Sequence, residues 1–420
     1  MRTRTAFPSW MFNISICMNR IRANCFNVPF GWNTSPHPGA KNSASRFDFT
    51  NKESMGWVRL FGRVDRHEVS SRARGNKRIK EEWMKVNVGL IGIGRLGRVY
   101  ARDLATRVAG VRLAALADTN ATLAEETARE LDVPRWYLDP LAMLDDPGVD
   151  AIIIVSPTHT HCDLVVGALE RGKPTFCEKP PALSLGETQT MKDAVARAHG
   201  FLQMGFMRRF DAGYVAAKKR IDEGVIGTPI VFKSSSRDPM RPSLEYANPK
   251  SSGGMIVDMG IHDFDLARWF MGEVASVTAV GGTLAYPELA EVGDIDNAII
   301  TLTFDSGRIG EVDLSRSGIY GYDIFGEILG TTGTLRIGYL RETPLFVMTK
   351  NQVAHDTVPF FMERFRDAYT VQLQNFVDNL RNDREPPITI DDAIGALRIA
   401  LAATRAQSTG KAVSLRDAAL

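Results

Sequence analysis

The sequence predicts an α/β protein: an N-terminal doubly wound parallel sheet of Rossmann type, then a C-terminal α/β domain with a large, mostly antiparallel open sheet. Three observations carry this reading. The strand VNVGLIG (Val86–Gly92) runs directly into the spacing G-x-G-x-x-G at Gly92, Gly94 and Gly97. From Met84 to about residue 205, short apolar runs alternate with helical patterns, the signature of a parallel sheet with crossover helices. Beyond that, consecutive β-rich segments joined by turns such as DSG (Asp305–Gly307) indicate antiparallel pairing.

In the first domain, the strand at Val86 is followed by an amphipathic helix with Leu96, Tyr100 and Leu104 on one face. A second strand, VRLAALAD, ends at Asp118, 21 residues past Gly97. A glycine fingerprint between strand and helix, with an acid at that distance, is the context that makes it specific for a dinucleotide. Gly92 permits the tight turn, Gly94 lets backbone approach a pyrophosphate, and Gly97 lets the helix pack on the strand. Unpaired N–H groups of Arg95, Leu96 and Gly97 at the helix start suit phosphate oxygens. Asp118 accepts ribose hydroxyls and repels a 2′-phosphate, so NAD is expected over NADP; Arg95 is the one loop residue able to court that phosphate. A helix over Thr119–Leu131, a strand over Asp150–Val155, a helix over Thr160–Arg171 stopped at Gly172, the strand PTFC and a helix capped by Ser184 and Glu187 follow, and FLQMG closes the set near Gly205. Lys179 falls at a strand's carboxyl end, where ligands of doubly wound sheets bind.

In the second domain, a helix is expected at Ala212–Glu223. Strands are expected at Pro229–Ser235, Val274–Thr283, Asn297–Phe304, Arg308–Leu314, Tyr322–Leu329 and Thr334–Ile337, and helices at Phe365–Arg381 and Asp391–Gln407. Between the first two strands, SGGMIVDMGIHDFDLARWF (Ser252–Phe270) reads as one helix. Asp258 and His262 sit four apart there, hence on one face. A surface pair, or a core histidine satisfied by an aspartate, is the bland alternative.

The chain has 420 residues, 44% apolar and 24% charged, enough for two globular domains. No apolar run approaches the ~18 residues of a membrane span, and cysteines without a disulfide pattern make reduced thiols in the cytoplasm the expectation. The four cysteines, Cys17, Cys25, Cys162 and Cys177, form neither a zinc nor a disulfide pattern, and no metal site is expected. Residues 1–83 hold 15 Lys and Arg against six Asp and Glu; the rest holds 36 against 43. An acidic body argues against nucleic acid as partner. The basic segment shows no periodicity. Codons for Lys80-Glu81-Glu82-Trp83 can spell a purine-rich ribosome-binding site before a start at Met84, so 1–83 reads as translated leader outside the fold; a transit peptide or a functional basic tail are the alternatives. The expected organisation is thus 1–83 leader, 84–205 NAD-binding domain, 206–360 substrate and oligomerisation domain, and 361–420 helices packing back on the body.

Taken in order, GIGRLG, Asp118, SPTHTH, CEKP and Gly253…Asp258…His262 resemble the glucose–fructose oxidoreductase and inositol dehydrogenase family, nearest to its bacterial inositol 2-dehydrogenases. So do GFMRRFDAGY (Gly205–Tyr214), VIGTP (Val225–Pro229), YGYDIFGEILGTTG (Tyr320–Gly333) and RFRDAYTVQLQNFVDNL (Arg364–Leu380). The resemblance implies a catalytic trio of Lys179, Asp258 and His262. It implies cofactor contacts from Ser156, Pro157, His161, Glu178 and Lys179, and substrate contacts from Arg208 and Tyr320. It implies NAD as cofactor and a cyclic polyol, myo-inositol oxidised to 2-keto-inositol, as substrate. The segment SSSRDP (Ser234–Pro239) departs from the family pattern, which has a histidine before the arginine, and the following loop is longer; both leave the polyol open.

On this implied mechanism His262 takes the hydroxyl proton as hydride leaves for nicotinamide, and Asp258 fixes the imidazole's tautomer. Lys179 hydrogen-bonds the reacting oxygen. A dehydrogenase of another sugar or anhydrosugar, or a non-enzymatic sugar or NAD sensor on this fold, are the rival readings. A homo-oligomer, dimer or tetramer, formed through the open sheet is expected, since that sheet's outer face needs a cover.

Overall fold

In the computed structural model the described residues are 85–416; the leader reading for 1–83 lies outside them. The first sheet contains β1 (Val86–Ile91), β2 (Val111–Ala117), β3 (Trp136–Tyr137), β4 (Ala151–Ile154), β5 (Thr175–Glu178) and β6 (Leu202–Gly205). All six are parallel, in the order β3-β2-β1-β4-β5-β6. Strand order reverses between β1 and β4, so the crevice beyond their carboxyl ends is where such a sheet receives its ligand. Helices α1 (Arg95–Thr106), α2 (Ala121–Glu130), α3 (Pro140–Leu144), α4 (His161–Glu170) and α5 (Leu185–Ala198) connect them. Ser184 caps α5 by accepting from the Glu187 N–H at 3.3 Å, as the S-x-x-E pattern predicts. The two-residue β3 was missed because WY is too short to show a period.

The second sheet contains β7 (Pro229–Arg237), β8 (Val274–Gly282), β9 (Asn297–Phe304), β10 (Ile309–Ser315), β11 (Asp323–Gly330), β12 (Thr334–Ile337) and, at its edge, β15 (Val413–Ser414). It is antiparallel except where β10 runs parallel to β7. A small ribbon pairs β13 (Val347–Met348) with β14 (Val353–Ala354). α6 (Ala212–Asp222) leads into the sheet. The β7–β8 connection carries α7 (Leu244–Ala247), α8 (Pro249–Ser252), α9 (Gly254–Asp258) and α10 (Ile261–Met271), and α11 (Phe361–Arg381) and α12 (Ile390–Thr409) finish the chain. α12 packs on both α5 and α10, and α11 on α1, so these helices pack on elements of both domains.

The sheet's inner face buries Phe232, Ile300, Leu302, Val312, Leu314 and Ile328 under α10. On β9 the alternation is strict, buried residues alternating with exposed Ile299, Thr301 and Thr303. The outer face therefore presents Ile299, Ile309, Val280 and Leu329 to solvent.

One expected element is corrected. Ser252–Phe270 is not a single helix: α9 ends at Asp258 and α10 starts at Ile261. Between them the bonds tighten to three-residue spacing, His262 N–H to Met259 O at 3.4 Å and Asp263 N–H to Gly260 O at 2.9 Å. Gly260 makes the pinch possible, since a Cβ there would lie 2.9 Å from Leu314 Cδ1. A three-per-turn step rotates each residue further round the axis, so His262 leaves the face of Asp258.

Candidate active site

The glycine loop has the shape its sequence predicts. Gly92 has φ +88, and a Cβ there would lie 2.7 Å from Ser156 N. A Cβ on Gly97 would stand 2.0 Å from Gly92 O, which is the close packing of helix on strand. At Gly94 an added Cβ meets nothing within 4 Å, so the backbone is open to a ligand. No side chain caps α1, leaving its first N–H groups free for a pyrophosphate. These features fit NAD. Asp118 accepts from Ile93 N–H at 2.8 Å and from Asn120 N–H at 2.9 Å. Its carboxylate thus shapes the loop and keeps lone pairs for ribose hydroxyls. Arg95 turns away from Asp118 and lies over the Phe360 ring, 5.6 Å from its centroid. Leu96 is half-buried and packs on the core.

Ser156 and exposed Pro157 sit at the end of β4, with Ser156 Oγ 2.6 Å from Thr160 Oγ1. Two residues expected on the cofactor surface are instead buried behind it. His161 has one ring nitrogen 2.8 Å from Pro180 O and the other 2.8 Å from Ser156 O, so it ties the two loops together. Burial lowers its pKa, and the two backbone carbonyls partly offset it. Glu178 receives the Tyr100 hydroxyl and, at 3.2 Å, the Gln372 amide, which joins β5 to α1 and α11. Burial raises its pKa.

Lys179 reaches across to the second domain. Its Nζ donates to the Asp258 backbone carbonyl at 3.1 Å and stands 3.6 Å from Asp258 Oδ1. Asp258 does not bond His262. Its carboxylate faces Tyr246 Oη at 3.1 Å and Arg316 Nη2 at 3.5 Å. His262 is buried with Nδ1 unpartnered, and its ring meets the edge of Phe206 at 6.2 Å. Burial, then the charges of Lys179 and Arg208, push its pKa well below the usual value. The expectation that Asp258 orients the imidazole is therefore corrected; the tightened turn before α10 is the cause.

The two residues expected at the substrate diverge. Arg208 is buried, donating to Asp263 Oδ1 at 2.6 Å and to Ser236 Oγ at 3.1 Å, with its guanidinium over Phe365. It braces β7 and α10 from behind, its guanidinium held in an ion pair with Asp263. Ser234 and Ser236, in the segment that departs from the family pattern, complete this cluster on Asp263 at 2.5 and 2.8 Å. Tyr320 stays half-exposed, its hydroxyl 2.9 Å from Asp323 Oδ2 and accepting from Arg237 Nη1 at 3.2 Å.

Three residues near Asp258 were missed from sequence: Asp238, Tyr246 and Arg316. Asp238 has its pKa raised to about 7, by burial first and then by the charge of Asp258. Arg316 is buried, bonded to Asp294 at 2.5 Å, with Nε and Nη2 unpartnered. Asp238 lies in the departing segment SSSRDP and Tyr246 in the loop after it, while Arg316, at the end of β10, lies outside any motif. Among the described residues no group of His, Cys, Asp and Glu could hold a metal, and no helix is long and apolar enough to cross a membrane.

Comparison with known proteins shows the family. Residues 86–206 match the oxidoreductase family's NAD-binding Rossmann fold, and 218–415 match the same family's C-terminal alpha/beta domain. A scyllo-inositol 2-dehydrogenase (NAD(+)) of Bacillus subtilis is 42% identical over 332 residues, 79% of this chain and 96% of that protein. A myo-inositol 2-dehydrogenase of Thermotoga maritima is 36% identical over 335 residues, 79% of this chain and 99% of that one. The crystal structure of scyllo-inositol dehydrogenase from Lactobacillus casei with bound NAD(H) and scyllo-inositol superposes with a TM-score of 0.76 at 31% identity, covering 79% of this chain and 100% of that one. With both domains matched in order, the chain belongs to the glucose–fructose oxidoreductase and inositol dehydrogenase family of NAD-binding oxidoreductases.

Proposed function

We propose that the protein oxidises a secondary hydroxyl of a cyclic polyol, with myo-inositol to 2-keto-inositol as the first candidate reaction. The observation that carries this is the meeting of Lys179, from the end of β5, with Asp258 and the start of α10, beside an open glycine loop that fits NAD. Bound NAD supplies the hydride acceptor. The chain's own residues then divide the remaining work. His262, kept neutral by burial, takes the hydroxyl proton. Lys179 donates a hydrogen bond to the reacting oxygen, and Asp258 keeps the ammonium aimed at it. Asp238 adds a polar group for a neighbouring ring hydroxyl.

The relatives act on scyllo- and myo-inositol according to their names, so both belong in the test. Purified protein with NAD and a panel of inositols, pyranoses and anhydrosugars is followed by NADH absorbance. Turnover of an inositol with kcat/KM above every sugar supports the proposal. Turnover confined to a sugar would reassign the substrate, and none at all would favour a sensor. The same reading includes a second copy packed on the outer sheet face, where Val280, Ile299, Ile309 and Leu329 are exposed. Sedimentation should give a dimer or tetramer, and Ile299→Asp with Ile309→Asp should give monomer. The cytoplasm is proposed as its location.

A further inference from the structure

Asp258 is held in place by a single hydrogen bond. Among the described residues, the Tyr246 hydroxyl is the one group that donates to its carboxylate, at 3.1 Å. The Lys179 ammonium at 3.6 Å and Arg316 Nη2 at 3.5 Å are ion-pair neighbours beyond good hydrogen-bond length. Arg316 is 1% exposed and has two unpartnered nitrogens, Nε and Nη2. A buried guanidinium in that state attracts any carboxylate free to move toward it. Asp258 thus stands between two cations, Oδ1 toward Lys179 and Oδ2 toward Arg316, with Tyr246 bonded to the Lys179-side oxygen.

The segment bearing Tyr246 is built to hold the phenol there. Ser243 caps α7 by accepting from Tyr246 N–H at 3.3 Å, and Ala247 is fully buried. Arg241 ties the start of the segment to Glu288 at 2.6 Å. α7 packs on the turn Pro287–Val292, while α8 packs on Thr158–Thr160 of the cofactor loop. The strap therefore crosses from the substrate domain to the nucleotide domain. Tyr246 is 51% exposed, and its hydroxyl reaches the Asp258 carboxylate. The charges that reach the phenol are Asp258, Arg316 and Arg95.

We propose that Tyr246 is a positioning residue for the dehydrogenase reaction, holding one oxygen of the Asp258 carboxylate beside Lys179 while the other stands near Arg316. This rests on the function proposed above. Removing the hydroxyl lets Asp258 close fully on Arg316 Nη2, already 3.5 Å away, and Lys179 then loses its anionic neighbour. The signature is a fall in kcat larger than any change in KM.

The test compares wild type, Tyr246→Phe, Asp258→Asn and the double variant with NAD and the best polyol of the panel. Tyr246→Phe should lower kcat about tenfold, the loss expected of one hydrogen bond to a charged group. The loss should fall on kcat more than on KM, with NAD affinity and melting temperature unchanged. The double variant should be no worse than Asp258→Asn alone. Independently of turnover, the ultraviolet titration difference between wild type and Tyr246→Phe should show one phenol ionising well above the ordinary range, and Asp258→Asn should bring it back down. An active wild type with an unchanged Tyr246→Phe kcat, or a lowered melting temperature with intact kcat, overturns the inference alone. A wild type that turns over nothing overturns the function and this role together.

Discussion

Lys179 and Asp258 face each other across the domain boundary, 3.6 Å from Nζ to Oδ1, with a second bond from Nζ to the Asp258 carbonyl at 3.1 Å. The lysine comes from the nucleotide domain and the aspartate from the substrate domain. The site is therefore assembled only when the domains pack as observed. Holding an ammonium between a carboxylate and a carbonyl orients its remaining proton toward an incoming oxygen.

If Lys179 orients the reacting oxygen, Lys179→Ala should lower kcat by about 10²–10⁴, within the range for a positioned proton-transfer group. Asp258 acts through it, so Asp258→Asn should cost less, and the pair should be less than additive. Both variants should bind NAD and melt as wild type does. Steady-state kinetics, NAD titration and thermal melting on the four proteins check this; additive losses would separate the two residues.

Asp118 has two tasks, and its removal should show both. Asp118→Ala relieves repulsion of a 2′-phosphate, which narrows the preference for NAD over NADP. It also frees the Ile93 N–H that the carboxylate holds at 2.8 Å, loosening the glycine loop. Loss of hydrogen bonds to a charged group should weaken NAD binding about ten- to a hundredfold. Affinity for both cofactors, measured by fluorescence titration, decides. A variant that binds NAD as well as wild type would remove Asp118 from the site.

Much of this architecture is legible in sequence because its signals are local. Gly92, Gly94, Gly97 and Asp118 lie within one βαβ unit; close packing fixes Gly92 and Gly97, and backbone hydrogen bonds hold Asp118. The strands of the second sheet alternate cleanly because one face is buried, as in β9. What escaped is set by distant contacts. The break at Gly260 depends on Leu314, far along the chain, and nothing in DMGIH shows it. Arg208 reads as a pocket residue until Asp263 and Ser236 are seen beside it. His161 and Glu178 lie in motifs that border a cofactor site, yet their side chains turn inward to carbonyls and to Tyr100.

Asp238 makes stability depend on pH in a stated direction. Its folded pKa of about 7 lies above the ordinary carboxyl value, so the folded state retains a proton that the unfolded chain releases. The associated stability is present below about pH 4 and lost as pH rises through about 7. Asp238→Asn stays neutral throughout. It should be more stable than wild type at pH 8 by about 1–2 kcal/mol, allowing for solvent at a partly buried carboxyl, and equal to it near pH 4. Its KM for the polyol should rise if Asp238 receives a ring hydroxyl. Denaturant melts at the two pH values read the first effect; a gain confined to acid pH would reverse the sign and refute the account.

The last expectation concerns the proton acceptor. Burial and the cations Lys179 and Arg208 depress the pKa of His262, so its imidazole remains neutral well below the ordinary histidine value of about 6.5. Two consequences follow with opposite readouts. In catalysis, a neutral base persists into acid, so kcat/KM should show no acid limb near pH 6.5. In stability, the unfolded chain takes a proton below that pH that the folded chain refuses, so stability present above it is lost as pH falls. His262→Ala should lower kcat by about 10²–10⁴ while NAD affinity, set by Gly92–Gly97 and Asp118, changes little. It should also flatten the loss of stability between about pH 6.5 and 5, because the group that resists protonation is gone. A histidine that merely filled the core would show the stability change with turnover intact. A folded His262→Ala enzyme within tenfold of wild-type kcat would therefore refute the assignment, and an acid limb at pH 6.5 that vanishes in His262→Ala would show an imidazole titrating normally, against its burial beside two cations.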